Sequence, residues 1–471
     1  MENPFRQEYY KNIPDEKIEQ IYRNPRLKLP FDPKDLVMFL DRNAQGAEAE
    51  KAKRLRTIPY HHRSADLGIT TPMHEYFPSR AGEEGVHHVY TQIDIKGSGF
   101  VHPEEHESKK HGLSAGELAG SPEAVFVPES METPMGYDIL GLLDAGMIQT
   151  TIEKSRYLAF KGMRTEAVAG VYGIDVIRMN GEEISVKEFK KEAMEILQEQ
   201  LHELHRGVDD AEIAKIKEKI SSLKSEDGFR PVIEVRCMRS VLRLRDLKDA
   251  PAESRRELIG EAIKSLNIEM QYLGEGKRFD AESPEGLKEW MEFVTFWIGK
   301  NTGIMHREGL AHEFLHMGNL TLAGEVVDLD SVQSVVKTGK GEGKSFEAEP
   351  FFRRSMAGYA YINPGVGMHR LPDERFGLPK CLIKDLRDAC FSFRMLLKNI
   401  PELKKKVDSR LLAQKMFDGY KQGLGNAEPF EAIGITGESL LAVMETIATE
   451  VIGNGAYYAP IPADDAEKSA E

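Results

Sequence analysis

The chain has 471 residues, 41% hydrophobic and 30% charged, with 63 Lys+Arg against 77 Asp+Glu for a formal net charge of −14. That balance implies a globular chain with more apolar material than one core absorbs, and it disfavours nucleic acid as a partner because phosphate backbones are repelled at long range. No run approaches the roughly 18 apolar residues of a membrane span, so no membrane partner is expected, and three scattered cysteines without a CxxC pair (Cys237, Cys381, Cys390) disfavour a disulfide framework or thiolate metal site.

In chain order, residues 1–54 form a polar N-terminal extension, with helical character around Pro33–Leu40 and no apolar signal-peptide core. The expected compartment is the reducing cytoplasm. Residues 55–248 read mostly as strands and turns. His88–Lys96 alternates apolar and polar residues like a half-buried strand and stops at Gly97-Ser98-Gly99. A short helix is predicted over Met135–Ala145, and a Val- and Ile-rich strand over Ala167–Met179 that turns at Asn180-Gly181. The Glu, Lys and Leu spacing of 184–224 predicts two antiparallel helices inserted between strands, and Arg230–Leu244 returns to strand character. Beyond Asp249, helices are predicted at Ser254–Tyr272, Gly286–Lys300, Leu382–Ile400, Leu403–Lys421 and Gly437–Val451, giving a helical region over 249–455 before an acidic tail at 456–471. Strands followed by helices predict an α+β fold with two lobes.

The chemistry concentrates in Met305–Ser331. His312-Glu313-Phe314-Leu315-His316 satisfies the zinc-protease pattern H-E-x-x-H, in which two histidines one helical turn apart bind the metal and the glutamate activates water. Gly318-Asn319 interrupts any such helix, and no third ligand stands out downstream. The second reading takes the whole stretch. Asn319 falls seven residues after His312, a hairpin turns at Ala323-Gly324, and Val326-Val327 leads to Asp328. This is the order of a protein-kinase-like catalytic loop (312–331) and metal-binding strand. Asn319 and Asp328 would supply the hard oxygen donors that Mg²⁺, or Mn²⁺, prefers on a triphosphate. The position five residues before Asn319, where ordinary protein kinases carry the catalytic base, is Phe314. A phenyl ring accepts no proton, so conventional phosphotransfer is disfavoured.

Three separated segments resemble the selenoprotein-O family: Ile95-Lys96-Gly97-Ser98-Gly99, the R-x-x-x-S-x-x-R spacing from Arg236 through Ser240 to Arg243, and His312 to Asp328. The resemblance implies a bilobal protein-kinase-like fold, with 55–248 as strand-rich N-lobe and 249–455 as helical C-lobe. It implies that ATP is bound in a flipped orientation and its AMP moved to proteins. Lys96 then stands at the nucleotide-phosphate lysine, Arg236 and Arg243 at the pocket for the terminal phosphate, and Asn319 and Asp328 at the metal. A Lys at a strand end pins phosphate as a point charge, and Asp138, or else Glu132, is its expected partner on the short helix. Arg236 and Arg243 lie seven apart, so strict alternation would put them on opposite faces, and a bend near Ser240 is needed to converge them.

The family's acid before the metal Asn is Gly318 here, and its C-terminal redox cysteine has no counterpart. Asp330, His316 and Glu313 are the candidates for the missing base. Asp330 is preferred because, two residues past Asp328 on an extended strand, it would face the same cleft; His316 would serve if the loop turned it inward. The expectation is an ATP- and Mg²⁺-dependent protein adenylyltransferase whose protein substrates the chain does not identify. A pseudokinase scaffold, a kinase-like phosphotransferase and the zinc protease are the alternatives.

Overall fold

The computed structural model describes residues 18–34, 64–78, 85–97, 143–179, 182–204, 230–335 and 376–454, with five isolated positions between 213 and 224. The fold mixes helices with a curled antiparallel sheet. No helix among the described residues is long and apolar enough to cross a membrane. Chain contacts divide into two units. One holds the described residues of Met1–Phe77, Val89–Ile152 and Ala167–Val241; the other holds those of Pro78–His88, Glu153–Glu166 and Leu242–Glu471.

The first unit is built on the sheet. Its strands are β1 (Ile18–Arg23), β2 (Leu27–Lys28), β3 (Ser64–Phe77), β4 (Val86–Lys96), β5 (Leu143–Asp144), β6 (Ala167–Ile174) and, after the hairpin β7 (Val176–Met179) and β8 (Glu182–Ser185), β9 (Pro231–Met238). The order across the sheet is β1-β6-β9-β4-β3-β2, with β5 also on β9. Strand β4 pairs with β9 from Gln92↔Met238 to Lys96↔Glu234, and β5 resumes the same partner at Leu143↔Val232. Gly97 makes the exit between them. Its φ is +83°, and a Cβ there would stand 2.3 Å from the Val232 carbonyl oxygen, so only glycine fits.

Strand β4 is buried from His88 onward on both faces, so it is not the half-buried strand its alternation predicts. One face carries Ile93, Ile95, Ala167, Ala169, Val235 and Cys237 into an apolar cluster. On the other, Val168, Val171 and Val232 meet Ile148 and Ile152 of helix α1 (Ala145–Phe160). The polar residues of β4 that read as solvated lie on this second face. Most of the predicted Met135–Ala145 helix falls outside the described residues; the helix present starts at Ala145. Its sequence, with two adjacent threonines and no acid in the first turn or base in the last, gives little helical signal. Helix α2 (Val186–Leu204) is the first of the two predicted in the insertion, and the second lies almost wholly outside the described residues. Met179 pairs with Glu182, and Asn180-Gly181, where the turn is predicted, lie outside the described residues.

The second unit is helical: α3 (Leu244–Asp249), α4 (Ala252–Tyr272), α5 (Pro284–Arg307), α6 (Lys380–Asn399), α7 (Pro401–Lys404), α8 (Ser409–Leu424) and α9 (Gly437–Ala448), the last running into a wider π turn at Thr449–Gly453. The strand expected to reach Leu244 ends at Met238, and Leu244 opens α3 instead. Helix α5 starts two residues before Gly286 because Ser283 caps it, its hydroxyl accepting the Gly286 N–H at 3.0 Å, and Pro284 follows at the first helical position. The single helix predicted over Leu403–Lys421 is two, since Asp408 caps α8 by accepting the Arg410 N–H.

Helices α5 and α8 cross through four glycines. A Cβ at Gly299 or Gly303 would stand 2.2 or 2.3 Å from the carbonyl oxygen of Met416 or Tyr420, and one at Gly419 or Gly423 would stand 2.0 or 2.1 Å from that of Phe296 or Lys300. Backbone therefore touches backbone, and α5 is fixed as the platform for the loop that follows it.

Candidate functional site

The loop after α5 is not a helix. Past Gly309, β10 (Leu310–Ala311) pairs with β11 (Gln333–Ser334), closing a loop from His312 to Val332. Asp385, wholly buried on α6, accepts the N–H of His312 at 2.7 Å and of Glu313 at 2.6 Å. Its Oδ2 is also 3.4 Å from His306 Nε2, and His306 Nδ1 is 2.9 Å from the Tyr420 hydroxyl. Glu313 has φ +66°, which costs an L residue roughly 1–2 kcal/mol. Two amide-to-carboxylate bonds hold it there. The turn sends Phe314 outward, 48% exposed, with the Lys384 ammonium 4.7 Å over its ring.

This geometry removes the zinc-protease reading. His312 and His316 do not lie one turn apart on a helix. The buried His312 ring bridges the Val327 carbonyl and the Ser331 hydroxyl, each at 3.0 Å. Among the described residues no group of three or more His, Cys, Asp and Glu side chains is placed to hold a metal ion.

The predicted hairpin is present. Thr321 N–H donates to Glu325 O and Val327 N–H donates to Asn319 O, both at 3.0 Å, around a turn at Gly324 with φ +75°. From α5, the Trp290 indole donates to Leu322 O at 3.0 Å and the Asn301 amide to Gly324 O at 2.9 Å. The Asn319–Val327 rung leaves Asp328 as the next residue, so Asn319 and Asp328 both lie at the open end of one hairpin. Asp328 is left-handed, φ 65° and ψ 51°, and its N–H donates to Glu166 Oε1 at 3.1 Å. Asn319 is set by its side-chain amide donating to Phe314 O at 3.0 Å. An amide oxygen and a carboxylate suit Mg²⁺, which keeps several waters and leans on substrate phosphates instead of demanding a full protein cage.

The two preferred bases fare differently from expectation. Asp330 does not sit on an extended strand beyond Asp328. It lies in a 3₁₀ turn, Leu329–Ser331, where each residue rotates by about 120°, so a spacing of two no longer means a shared face. Its Oδ1 accepts the Ser331 N–H at 2.8 Å, and its carbonyl accepts the Lys154 ammonium at 2.9 Å. Burial lowers Lys154 to about 8, opposed by the charges of Asp330 and Glu153. His316 stands at the surface on one side. Desolvation of its packed side, then its neighbours His312, Lys384 and Arg243, lower it to about 4 against the pull of Asp328. Its Nδ1 accepts the Gly318 N–H at 3.0 Å, so the neutral ring presents Nε2–H and no lone pair. As placed, it cannot act as a base.

Of the phosphate-binding candidates, Lys96 is the last residue of β4, 4% exposed, directly across from Glu234. Arg236 is opposite Asp94 on the same face. Its Nε donates to Asp94 Oδ2 at 2.9 Å, Nη2 bonds the same oxygen, and Glu234 Oε2 is 3.9 Å away. Lys96, Asp94, Glu234 and Arg236 thus lie on one buried face, and Arg236 is wholly buried with its ion pair to Asp94. Arg239, easily confused with it, lies over the Tyr90 ring at 5.1 Å. Arg243 is beyond the sheet. Its Nη1 donates to the Gly318 carbonyl and, at 3.3 Å, to Asn319 Oδ1. Asp138 and Glu132 lie outside the described residues.

Neither Asp385 nor Glu166 is legible in the sequence, because a lone acid inside a helical or strand pattern carries no mark of what it will accept. No family model matches the chain, and no curated protein matches it.

Proposed function

We propose that the chain is an ATP- and Mg²⁺-dependent transferase on a kinase-like two-lobed fold, which moves AMP from ATP to Ser, Thr or Tyr hydroxyls of proteins. The observation that supports this reading is the hairpin whose open end carries Asn319 and Asp328, behind a loop anchored by Asp385. Asn319 and Asp328 would hold Mg²⁺ or Mn²⁺, which neutralises charge on the phosphates when bound. Lys96 is the cation at the strand end that the family resemblance assigns to phosphate. Arg243, on its two carbonyl acceptors, is the arginine able to turn to phosphate without breaking an ion pair among the described residues. The acceptor hydroxyl attacks the α-phosphorus, an O–P bond forms, pyrophosphate leaves and the hydroxyl proton passes to water or a carboxylate. Positioning and electrostatics supply most of the catalysis in such a site, so a weak base does not abolish it.

A second reading, a nucleotide-binding pseudokinase, is favoured by one observation. Phe314 occupies the ordinary base position and points to solvent, while the nearby imidazole of His316 offers only a donor. Mass analysis of the protein after incubation with Mg²⁺ and ATP, with a generic protein acceptor and beside Asp328→Ala, separates the readings. A gain equal to AMP, absent in the variant, supports adenylyl transfer. A gain equal to phosphate replaces it with phosphotransfer. No gain, with ATP binding retained, leaves the pseudokinase.

A further inference from the structure

The guanidinium of Arg243 has a place in the site that phosphate binding alone does not account for. Its backbone is tightly held: Leu244 N–H donates to Leu320 O at 2.8 Å, Arg245 N–H to Met317 O at 3.1 Å, and the Arg243 N–H to Asp246 Oδ2 at 2.7 Å. Only the side chain is left to move. It forms no ion pair with a carboxylate among the described residues, and rests on two neutral oxygens, Gly318 O and Asn319 Oδ1. Its Nε is buried without a hydrogen-bond partner. A partly buried cation that keeps its buried Nε–H unmet and lacks an anionic partner among the described residues is held weakly, and a phosphate oxygen would satisfy both its charge and its spare N–H.

The acceptor it rests on matters more. Asn319 Oδ1 is the oxygen that a divalent cation at Asn319 and Asp328 would need. Metal and guanidinium on that atom are two positive charges across one neutral oxygen, and they repel. We propose that Arg243 gates the metal site: without nucleotide its guanidinium holds Asn319 Oδ1 and disfavours the cation, and nucleotide phosphate draws it away and frees the oxygen. The inference rests on the metal assignment above. It makes metal and nucleotide binding cooperative through one side chain, beyond the coupling that phosphate–metal contact gives.

The test measures Mn²⁺ binding to the full chain without nucleotide, reading free Mn²⁺ by electron paramagnetic resonance. Arg243→Gln removes the charge and Arg243→Lys keeps it. The gate predicts that Arg243→Gln binds Mn²⁺ about tenfold more tightly than wild type, that Arg243→Lys stays near wild type, and that adding Asp328→Ala abolishes the gain. If both Arg243 variants bind no better than wild type while Asp328→Ala still weakens binding, Arg243 is a brace for the loop; the gate falls and the metal site stands. If Asp328→Ala changes nothing in any background, the metal assignment fails and the gate with it. Thermal melts of each variant exclude unfolding as the source of a loss.

Discussion

The Asp385 carboxylate accepts the Glu313 backbone N–H at 2.6 Å across 72 positions of chain, and so holds a residue at φ +66° that would not stay there unaided. The same carboxylate takes the His312 amide. The entry to the loop carrying Asn319 is therefore fixed from helix α6, while bonds among its own residues shape the rest.

Asp385→Ala should destabilise the protein by about 3–5 kcal/mol, because it strands two buried amides and the partner imidazole of His306. Asp385→Asn should cost less, since its amide oxygen still accepts one N–H. Urea unfolding of both variants checks this, and an alanine variant as stable as wild type would remove the anchoring role.

Arg236→Met should lower stability by roughly 3–5 kcal/mol, leaving Asp94 and Glu234 as buried anions without their guanidinium. Combining it with Asp94→Leu should cost less than the two single changes together. An arginine free for phosphate would instead weaken ATP binding and leave the urea midpoint unchanged.

Gly299→Ala places a methyl group 2.2 Å from the Met416 carbonyl oxygen, and two helix backbones must separate to admit it. A loss on the order of 3 kcal/mol is expected. Gly274→Ala is no neutral control, because Gly274 has φ +72°; Gly276→Ala, with open space around it, should melt close to wild type.

His316 is held near 4, below its ordinary 6.5, so the folded state binds fewer protons than the unfolded chain between those values. Its contribution to stability is complete above about 6.5 and is lost as pH falls toward 4. The imidazole resonance of His316 should titrate well below pH 6 by NMR, and His316→Asn should flatten the stability profile in that window. A midpoint at 6.5 would contradict the packing around Nδ1.

Phe314 is 48% exposed, so Phe314→Asp should alter folding stability by no more than about 0.5 kcal/mol. Under the transferase reading it puts a carboxylate where ordinary protein kinases carry theirs and should raise label transfer from ATP. Unchanged transfer with intact ATP binding would argue that proton removal does not limit the reaction.

Local chemistry was legible where it acts over short range. The pairing of Met179 with Glu182, the end of β4 at Gly97, a helix ending at Tyr272 and the hairpin from Asn319 to Val327 follow from turn residues and periodicity. Asn319 and Asp328 could be paired from sequence because a tight hairpin turn brings its own ends together. Asp330 could not be placed that way: the αL conformation of Asp328 converts the expected strand into a 3₁₀ turn, and period-two reasoning ends there.

Composition and spacing by themselves determined a mixed fold, strands before helices, and a hairpin with Asn319 and Asp328 at its open end. Tertiary structure decided the rest. H-E-x-x-H became a pinned loop because Asp385 supplies two bonds that outweigh the strain at Glu313. Arg236 became an ion-pair member because β4 sets Asp94 directly across from it. Arg243 came to rest on Asn319 because its segment pairs with the loop from Met317 to Leu322. In each case the deciding partner is distant in the chain, and a buried charge takes the counter-group that folding brings to it.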